Sequence, residues 1–136
     1  MMIKTLAHVC FIVKDLEASE RFYTEKLGMK KAFDCLRENG ERCGLYLHAG
    51  GRAFIELFQG EPKSAEGQSY RHLSLEVEDF PATVAELRRR GVELTEPKVG
   101  NDRGWLTWTK DPDGNSIELQ GYTPESRQAP FLDRRL

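Results

Sequence analysis

HVCFIVKD occupies residues 8–15 of the chain, and HLSLEVED occupies residues 72–79. Histidine, valine and aspartate recur between the two stretches at one separation of 64 positions. The tripeptide Ile-Glu-Leu then recurs in the same order, at residues 55–57 and 117–119, 62 positions apart. Ordered matches at a nearly constant separation indicate two copies of one supersecondary unit, and two copies are too few for a solenoid.

Each copy has the pattern of a strand, a helix and three further strands. Val9, Phe11 and Val13 alternate with Cys10 and Ile12, and this pattern predicts a strand with two different faces. Asp15 and Asp79 are placed to cap the helices that follow, and Gly28 and Gly91 are placed to end them. The later strands are predicted at residues 29–37, 42–48 and 52–58, and at residues 93–98, 105–110 and 115–121.

The 136 residues are enough for one domain. We expect the two modules at residues 6–59 and 70–122. The segment 60–69, rich in Gly, Pro, Glu and Ser, is predicted to link them, and the tail 123–136 is predicted to have no regular structure.

The composition excludes several functional classes. Lys plus Arg number 20 and Asp plus Glu 22, for a net charge of −2, which argues against a nucleic-acid partner. The chain has no apolar run of the roughly 20 residues that a membrane span needs. Residues 1–7 do not read as a secretory signal, and three cysteines without a C-x-x-C pair are typical of a reduced compartment. We therefore expect a cytoplasmic protein with a small-molecule substrate and no membrane partner.

Four polar residues occupy corresponding positions in the two copies. His8 and His72 begin the first strand, and Glu56 and Glu118 lie in the last strand. Burying such a carboxylate is costly unless it is paired or bound to a metal. If the two sheets curl towards each other, two imidazoles and two carboxylates converge, which suits one divalent ion of Zn, Ni, Co, Mn or Fe.

Each of these residues also has an ordinary structural explanation. A lone histidine in a strand is more often a hydrogen-bonded residue, and Glu56 could form a salt bridge with Arg42 or Arg52. The repetition of all four at matching positions favours the metal. His48 has no counterpart in the other copy and is expected to be a surface residue.

The duplicated pattern resembles the vicinal oxygen chelate superfamily, which includes glyoxalase I, bleomycin-resistance proteins and extradiol dioxygenases. The resemblance is carried by residues 8–16, 22–29, 71–77 and 111–119. It implies an α+β fold in which two βαβββ modules form a curled, incomplete barrel. It also implies that His8, Glu56, His72 and Glu118 are the metal ligands.

The resemblance further implies a glyoxalase-type lyase or isomerase that acts on an α-oxo or α-hydroxy carbonyl compound through an enediolate-like intermediate. Glu118 is then the general base and Glu56 its symmetry-related partner. The positions that bacterial glyoxalase I uses to hold glutathione are Ile12 and Gly60 here, so we expect glutathione-dependent activity to be weak or absent. The alternatives are an Fe(II)-dependent extradiol-type dioxygenase and a non-catalytic protein that binds a small molecule, as bleomycin-resistance proteins do.

Strand alternation also predicts which side chains line the substrate pocket. Trp105 and Trp108 cannot both face it, and the sequence does not distinguish them. Arg103, in the loop of residues 100–104, is a candidate for holding a substrate carboxylate. The other pocket candidates share the faces of the proposed ligands, namely Cys10, Ile12, Phe54, Phe58, Ser74 and Gln120.

We predict a homodimer, because small chains that resemble this family usually pair and in some of them the two subunits share the ligands of one site. Light scattering of the purified protein should give twice the mass of the chain. A monomer, with and without added metal, would contradict the prediction.

Overall fold

A computed structural model describes residues 2–63 and 69–132 of the protein. The chain divides into two compact units, residues 1–68 and residues 69–136, here called unit 1 and unit 2. Part of the predicted linker, residues 64–68, and the end of the predicted tail, residues 133–136, lie outside the described residues. The bounds of the two modules, the linker and the tail remain predictions.

The described residues of unit 1 form one mixed sheet and one helix. Its elements are β1 (His8–Val13), α1 (Leu16–Arg21), which continues as one π-helical turn (Phe22–Lys26), β2 (Lys30–Leu36), β3 (Arg42–His48) and β4 (Phe54–Gln59). The strand order is β1-β4-β3-β2. β1 pairs with β4 in parallel, and the other neighbours are antiparallel.

Unit 2 repeats this arrangement. Its elements are β5 (Leu73–Glu76), α2 (Phe80–Arg89), β6 (Lys98–Val99), β7 (Trp105–Lys110), β8 (Ser116–Gly121) and one turn of 3₁₀ helix (Ala129–Phe131). The strand order is β5-β8-β7-β6, with β5 and β8 parallel. The predicted α+β class with two βαβββ modules is confirmed, and neither four-stranded sheet closes into a barrel of its own.

The predicted helix boundaries are confirmed by their capping contacts. The Asp15 carboxylate accepts a hydrogen bond from the backbone N–H of Ala18 at 3.0 Å, and Asp79 accepts one from Ala82 at 3.3 Å. These bonds satisfy N–H groups that have no partner within a helix. Gly28 has φ 78° and so takes the left-handed conformation that follows α1 and its π-helical turn.

One face of each sheet is buried against its helix. In unit 1 the side chains of β4 alternate, so that Ile55 and Leu57 are buried while Phe54, Glu56 and Phe58 are only partly covered. In unit 2, Ile117 and Leu119 are buried in the same way and Glu118 is partly covered. The helices contribute Leu16, Tyr23, Phe80, Val84 and Leu87 to the buried cores.

Two of the predicted elements are wrong in extent. The strand predicted at residues 93–98 is reduced to Lys98–Val99. The Thr95 backbone N–H still donates to the Trp108 carbonyl at 3.1 Å, but the Thr95 hydroxyl, instead of its carbonyl, accepts from the Trp108 N–H at 3.0 Å. The tail is not wholly irregular, since residues 129–131 form a 3₁₀ turn. Among the described helices, none has the length and apolarity needed to span a bilayer.

Gly121 allows α2 to pack closely on β8. A Cβ atom at this position would lie 2.6 Å from the Cβ of Phe80, the first residue of α2. We predict that Gly121→Ala lowers the free energy of unfolding by about 1–3 kcal/mol, since overpacking must displace the helix. Urea denaturation measures this change.

Gly60→Ala is the matched control, because an added Cβ there meets only the exposed Ile12 side chain, at 3.0 Å. The control should change the free energy of unfolding much less. Equal effects of the two substitutions would show that the Phe80 contact does not limit the packing of α2.

Candidate functional site

His8 and Glu56 come together in unit 1. The Nε2 atom of His8 lies 3.6 Å from Oε2 of Glu56. Their side chains are 46% and 12% exposed, so the pair is open to solvent on the imidazole side. The register of β1 against β4 aligns His8 with Phe54 and Cys10 with Glu56, which places all four on one face of the sheet. We call this side of the unit 1 sheet the ligand face.

The Cys10 thiol donates a hydrogen bond to the Glu56 carboxylate. Partial burial, and then this bond and the charge of Glu56, raise the pKa of Cys10 to about 11. The thiol is therefore protonated at neutral pH, which agrees with a packing role for Cys10 rather than a nucleophilic one.

The salt bridge suggested between Glu56 and Arg42 is wrong. The Arg42 guanidinium instead binds Glu20 of α1 at 2.6 Å and Asp34 of β2 at 3.0 Å. Burial acts to raise the pKa of Glu20, but hydrogen bonds from Arg42 and Lys31 outweigh it and the net shift is downward. This ionic network connects α1 with β2 and β3, and the contacts of Glu56 are with His8 and Cys10 instead.

Glu118 in unit 2 has a matching environment. The register of β5 against β8 aligns Ser74 with Glu118, and the Ser74 hydroxyl donates to Oε1 of Glu118 at 2.8 Å. His72 lies just before β5 and meets the indole ring of Trp108 edge to face, with 4.8 Å between ring centroids. Trp108 in turn is the register partner of Glu118 on β7.

The two units thus present the same arrangement of side chains. Cys10 and Ser74 occupy equivalent positions as donors to Glu56 and Glu118. Tyr46 is the register partner of Glu56 and meets His8 edge to face at 5.7 Å, as Trp108 meets His72.

Sequence reasoning missed Tyr46. The repeat separation could have identified it, because Tyr46 and Trp108 are 62 positions apart, the same separation that relates Glu56 to Glu118.

The structure also decides between the two tryptophans. Trp108 lies beside His72, whereas Trp105 stacks on Phe80 at 6.1 Å, on the helix-covered side of the sheet. Trp108 is therefore part of the candidate site, whereas Trp105 packs against α2.

Two pocket candidates in unit 2 differ in their surroundings. Gln120 is 7% exposed, and its amide donates to the Asp102 carboxylate while its carbonyl lies 3.3 Å from the Ser74 hydroxyl. Asp102 also accepts a bond from Gln128 at 2.7 Å, which ties the residues beyond β8 to the same cluster. The hydrogen bond from Gln128, and then that from the N–H of Gly104, lower the pKa of Asp102.

Arg103, by contrast, is exposed, and its backbone has the left-handed conformation with φ 67°.

The donor atoms of unit 1 fit a divalent transition metal. Two atoms bound to one ion at about 2.1 Å each are at most about 4.2 Å apart, so one ion can bridge the 3.6 Å between His8 and Glu56. Taken separately, the described parts of unit 1 and of unit 2 contain no group of three or more His, Cys, Asp and Glu side chains that could hold a metal. The four-ligand site remains a prediction.

Comparisons with known proteins identify the family. Residues 5–119 match the profile of the Glyoxalase/Bleomycin resistance protein/Dioxygenase superfamily. The chain is 32% identical over 133 residues to the metallothiol transferase FosB of Staphylococcus epidermidis, covering 93% of this chain and 88% of that protein. It is 35% identical over 126 residues to the lactoylglutathione lyase of Escherichia coli O157:H7, covering 84% and 90%.

Among solved structures, TnmS3, an antibiotic binding protein from Streptomyces sp. CB03234, is similar with a TM-score of 0.74 and 31% identity, covering 90% of this chain and 99% of that one. These three relatives carry the names of a transferase, a lyase and a binding protein. The similarity therefore identifies the fold and the family. The activity has to be inferred from the side chains of the site.

The contact between His72 and Trp108 can be tested without any ligand. An indole ring 4.8 Å away should shift the ring-proton resonances of His72 in the NMR spectrum. We predict that Trp108→Leu moves these resonances back towards the values of a free imidazole, whereas Trp105→Leu leaves them unchanged. The opposite result would mean that Trp105 lies beside His72.

Proposed function

The chain belongs to the Glyoxalase/Bleomycin resistance protein/Dioxygenase superfamily, and we propose that it is a divalent-metal-dependent lyase or isomerase. Its substrate is a small α-oxo or α-hydroxy carbonyl compound with two neighbouring oxygens. The observation that carries the proposal is the His8–Glu56 pair, 3.6 Å apart and accessible to solvent on the imidazole side. The identity of 35% with a lactoylglutathione lyase over 84% of the chain supports it.

The proposed metal ligands are His8 and Glu56 of unit 1 with His72 and Glu118 of unit 2. Both units supply them, either within one chain or from the two subunits of the proposed homodimer. When bound, the ion supplies Lewis acidity that stabilises negative charge on the two substrate oxygens. The fit rests on the donor chemistry, since imidazole nitrogen and carboxylate oxygen suit Zn, Ni, Co, Mn and Fe alike.

Glu118 is proposed as the general base. Its carboxylate takes a proton from the substrate carbon next to the carbonyl and returns it to the neighbouring carbon, so that no net proton is gained or lost. The Ser74 hydroxyl, 2.8 Å from Oε1, holds the carboxylate in place during this transfer. Glu56 is held by a thiol, a weaker hydrogen-bond donor than a hydroxyl.

The substrate is proposed not to be a glutathione adduct. Ile12 and Gly60 are neighbours on the ligand face, since a Cβ added to Gly60 would lie 3.0 Å from the Ile12 side chain. Neither residue can bind the carboxylates of glutathione. The position that an arginine would need is thus occupied by an apolar side chain, 45% exposed.

A non-catalytic binding protein is the second candidate, favoured by the 31% identity to the antibiotic binding protein TnmS3 over 90% of the chain. An extradiol-type dioxygenase is the third alternative. A fourth protein ligand at Glu56 argues against it, because that reaction needs open positions for oxygen and a catechol.

Metal content tests the proposal directly. Elemental analysis of the purified protein should find one divalent transition ion per site, and His72→Ala should lose most of it. The matched control is His48→Ala, since His48 is outside the proposed ligand set and contacts the Gly51 carbonyl and the Phe54 ring in unit 1. Equal metal retention by the two variants would remove His72 from the ligand set.

Turnover separates the candidate functions. Methylglyoxal with glutathione should be converted weakly or not at all, and Glu118→Gln should abolish turnover of any α-oxo substrate that the metal-loaded protein accepts. Ligand binding that survives Glu118→Gln, with no turnover by the parent protein, would support the binding protein instead. Oxygen consumption with a catechol would support the dioxygenase.

A further inference from the structure

A chain of hydrogen bonds connects the proposed general base of unit 2 with the loop of residues 100–104. The Ser74 hydroxyl lies 2.8 Å from Oε1 of Glu118 and 3.3 Å from Oε1 of Gln120. Since a hydroxyl group has a single hydrogen to donate, these two oxygens compete for it. The ionised carboxylate is the stronger acceptor and also the nearer one. Ser74 therefore donates to Glu118 before the reaction, and the Gln120 carbonyl is a second acceptor held close by.

Asp102 fixes the orientation of the Gln120 amide. The amide nitrogen of Gln120 donates to Oδ2 of Asp102, and an ionised carboxylate can only accept hydrogen bonds. Asp102 is ionised at neutral pH, because the hydrogen bond from Gln128, and then that from the N–H of Gly104, lower its pKa. The carbonyl of Gln120 is therefore the end of the amide that faces Ser74.

Gln120 is held in this position by the protein and not by solvent. It is 7% exposed, and its Nε2 atom lies 3.3 Å from the place that a Cβ atom would take at Gly104. Ser74, by contrast, is exposed. The Gln120 carbonyl thus offers the hydroxyl an acceptor that is already in place, whereas a water molecule would first have to be ordered.

Proton transfer changes the competition for the Ser74 hydrogen. A hydrogen bond to an ionised carboxylate is roughly twice as strong as one between neutral groups, so Glu118 loses its advantage when it takes the substrate proton. If Ser74 had no second acceptor, the weakening of this bond would add to the barrier for proton transfer. The Gln120 carbonyl supplies a bond between neutral groups instead, and so reduces that cost.

We propose that Gln120 and Asp102 are positioning residues for the base: Asp102 turns the Gln120 carbonyl towards Ser74, and this carbonyl accepts the Ser74 hydrogen bond while Glu118 holds the substrate proton. The inference rests on the proposed function, since it concerns the base of that reaction. The transferred proton moves from the substrate carbon to Glu118 and then to the neighbouring carbon. The Ser74 hydroxyl keeps its own hydrogen throughout and changes only its acceptor.

The orientation of Gln120 can be tested by NMR spectroscopy of the metal-free protein. Asp102→Asn replaces one carboxylate oxygen by an NH₂ group. The remaining oxygen stays with the N–H of Gly104, which lies 3.1 Å from Oδ1, so the NH₂ group faces Gln120 and Gln128. We expect the Gln120 amide to turn over, which moves the nuclear Overhauser contacts of its own NH₂ group from the α-hydrogens of Gly104 to the β-hydrogens of Ser74. An unchanged set of contacts would overturn the proposal.

Kinetics test the role in proton transfer. The probe is hydroxyacetone, which has neighbouring hydroxyl and carbonyl oxygens, and the measured rate is the exchange of its C1 hydrogens for deuterium in D₂O with metal-loaded protein. Asp102→Asn and Gln120→Leu should each lower kcat about threefold to tenfold, the effect of losing one hydrogen bond. KM should stay the same, because Ser74 still donates to the ionised Glu118 of the free protein. A change in KM with kcat unaltered would contradict the positioning role.

A double variant separates positioning from a general loss of stability. Since Asp102 acts only through Gln120, adding Asp102→Asn to Gln120→Leu should lower kcat no further, and additive effects would refute the proposal. Gln128→Leu is the matched control, because it removes the other side-chain donor to Asp102, at 2.7 Å, and leaves the bond from Gln120 in place. Its kcat should stay close to that of the parent protein. A loss as large as that of Asp102→Asn would mean that Asp102 only supports the local fold.

Two results distinguish this inference from the proposed function. If the parent protein exchanges the hydrogens of hydroxyacetone and neither Asp102→Asn nor Gln120→Leu slows the exchange, the proposed function stands and the positioning role is wrong. If the metal-loaded parent protein gives no exchange, Glu118 is not a base for this class of substrate. The proposed function and the positioning role then fail together, and the NMR contacts still decide the orientation of Gln120.

Discussion

Parallel pairing between the first and last strands of each module is the constraint on which the candidate site depends. In unit 1 it aligns Cys10 with Glu56, and in unit 2 it aligns Ser74 with Glu118. Since side chains alternate along a strand, this register assigns every residue of β4 to one of two environments. A shift by one residue would turn Glu56 into the core and expose Ile55 and Leu57.

The duplicated modules share a geometry but differ in chemistry. Each carboxylate has a donor on the neighbouring parallel strand and an aromatic partner on the antiparallel one. In unit 1 the donor is a thiol and the surroundings are aromatic. In unit 2 the donor is a hydroxyl, and Gln120 and Asp102 surround it with further hydrogen bonds. Duplication thus allows one fold to present an apolar surface and a polar network in equivalent positions.

This difference bears on how the proposed chemistry is divided. A base that takes and returns a proton benefits from a fixed orientation, and the Ser74 hydroxyl provides it for Glu118. A flat aromatic surface contributes binding and shape selection instead. Under the proposed function, unit 2 supplies the general base, and unit 1 supplies an apolar surface beside its pair of proposed metal ligands.

Local patterns in the sequence determined the element order, the capping aspartates, the buried stripe of Phe80, Val84 and Leu87, and which residues share a face with Glu56, because these follow from the periods of helices and strands. They also revealed the duplication and hence the four candidate ligands. The short β6 could not be read from the sequence, since it depends on the Thr95 hydroxyl taking the place of a backbone partner. The ring contacts of Trp108 and Tyr46, and the partners of Arg42, were decided by tertiary structure. Such contacts join residues that are far apart in the chain, and strand pairing between distant segments sets their distances.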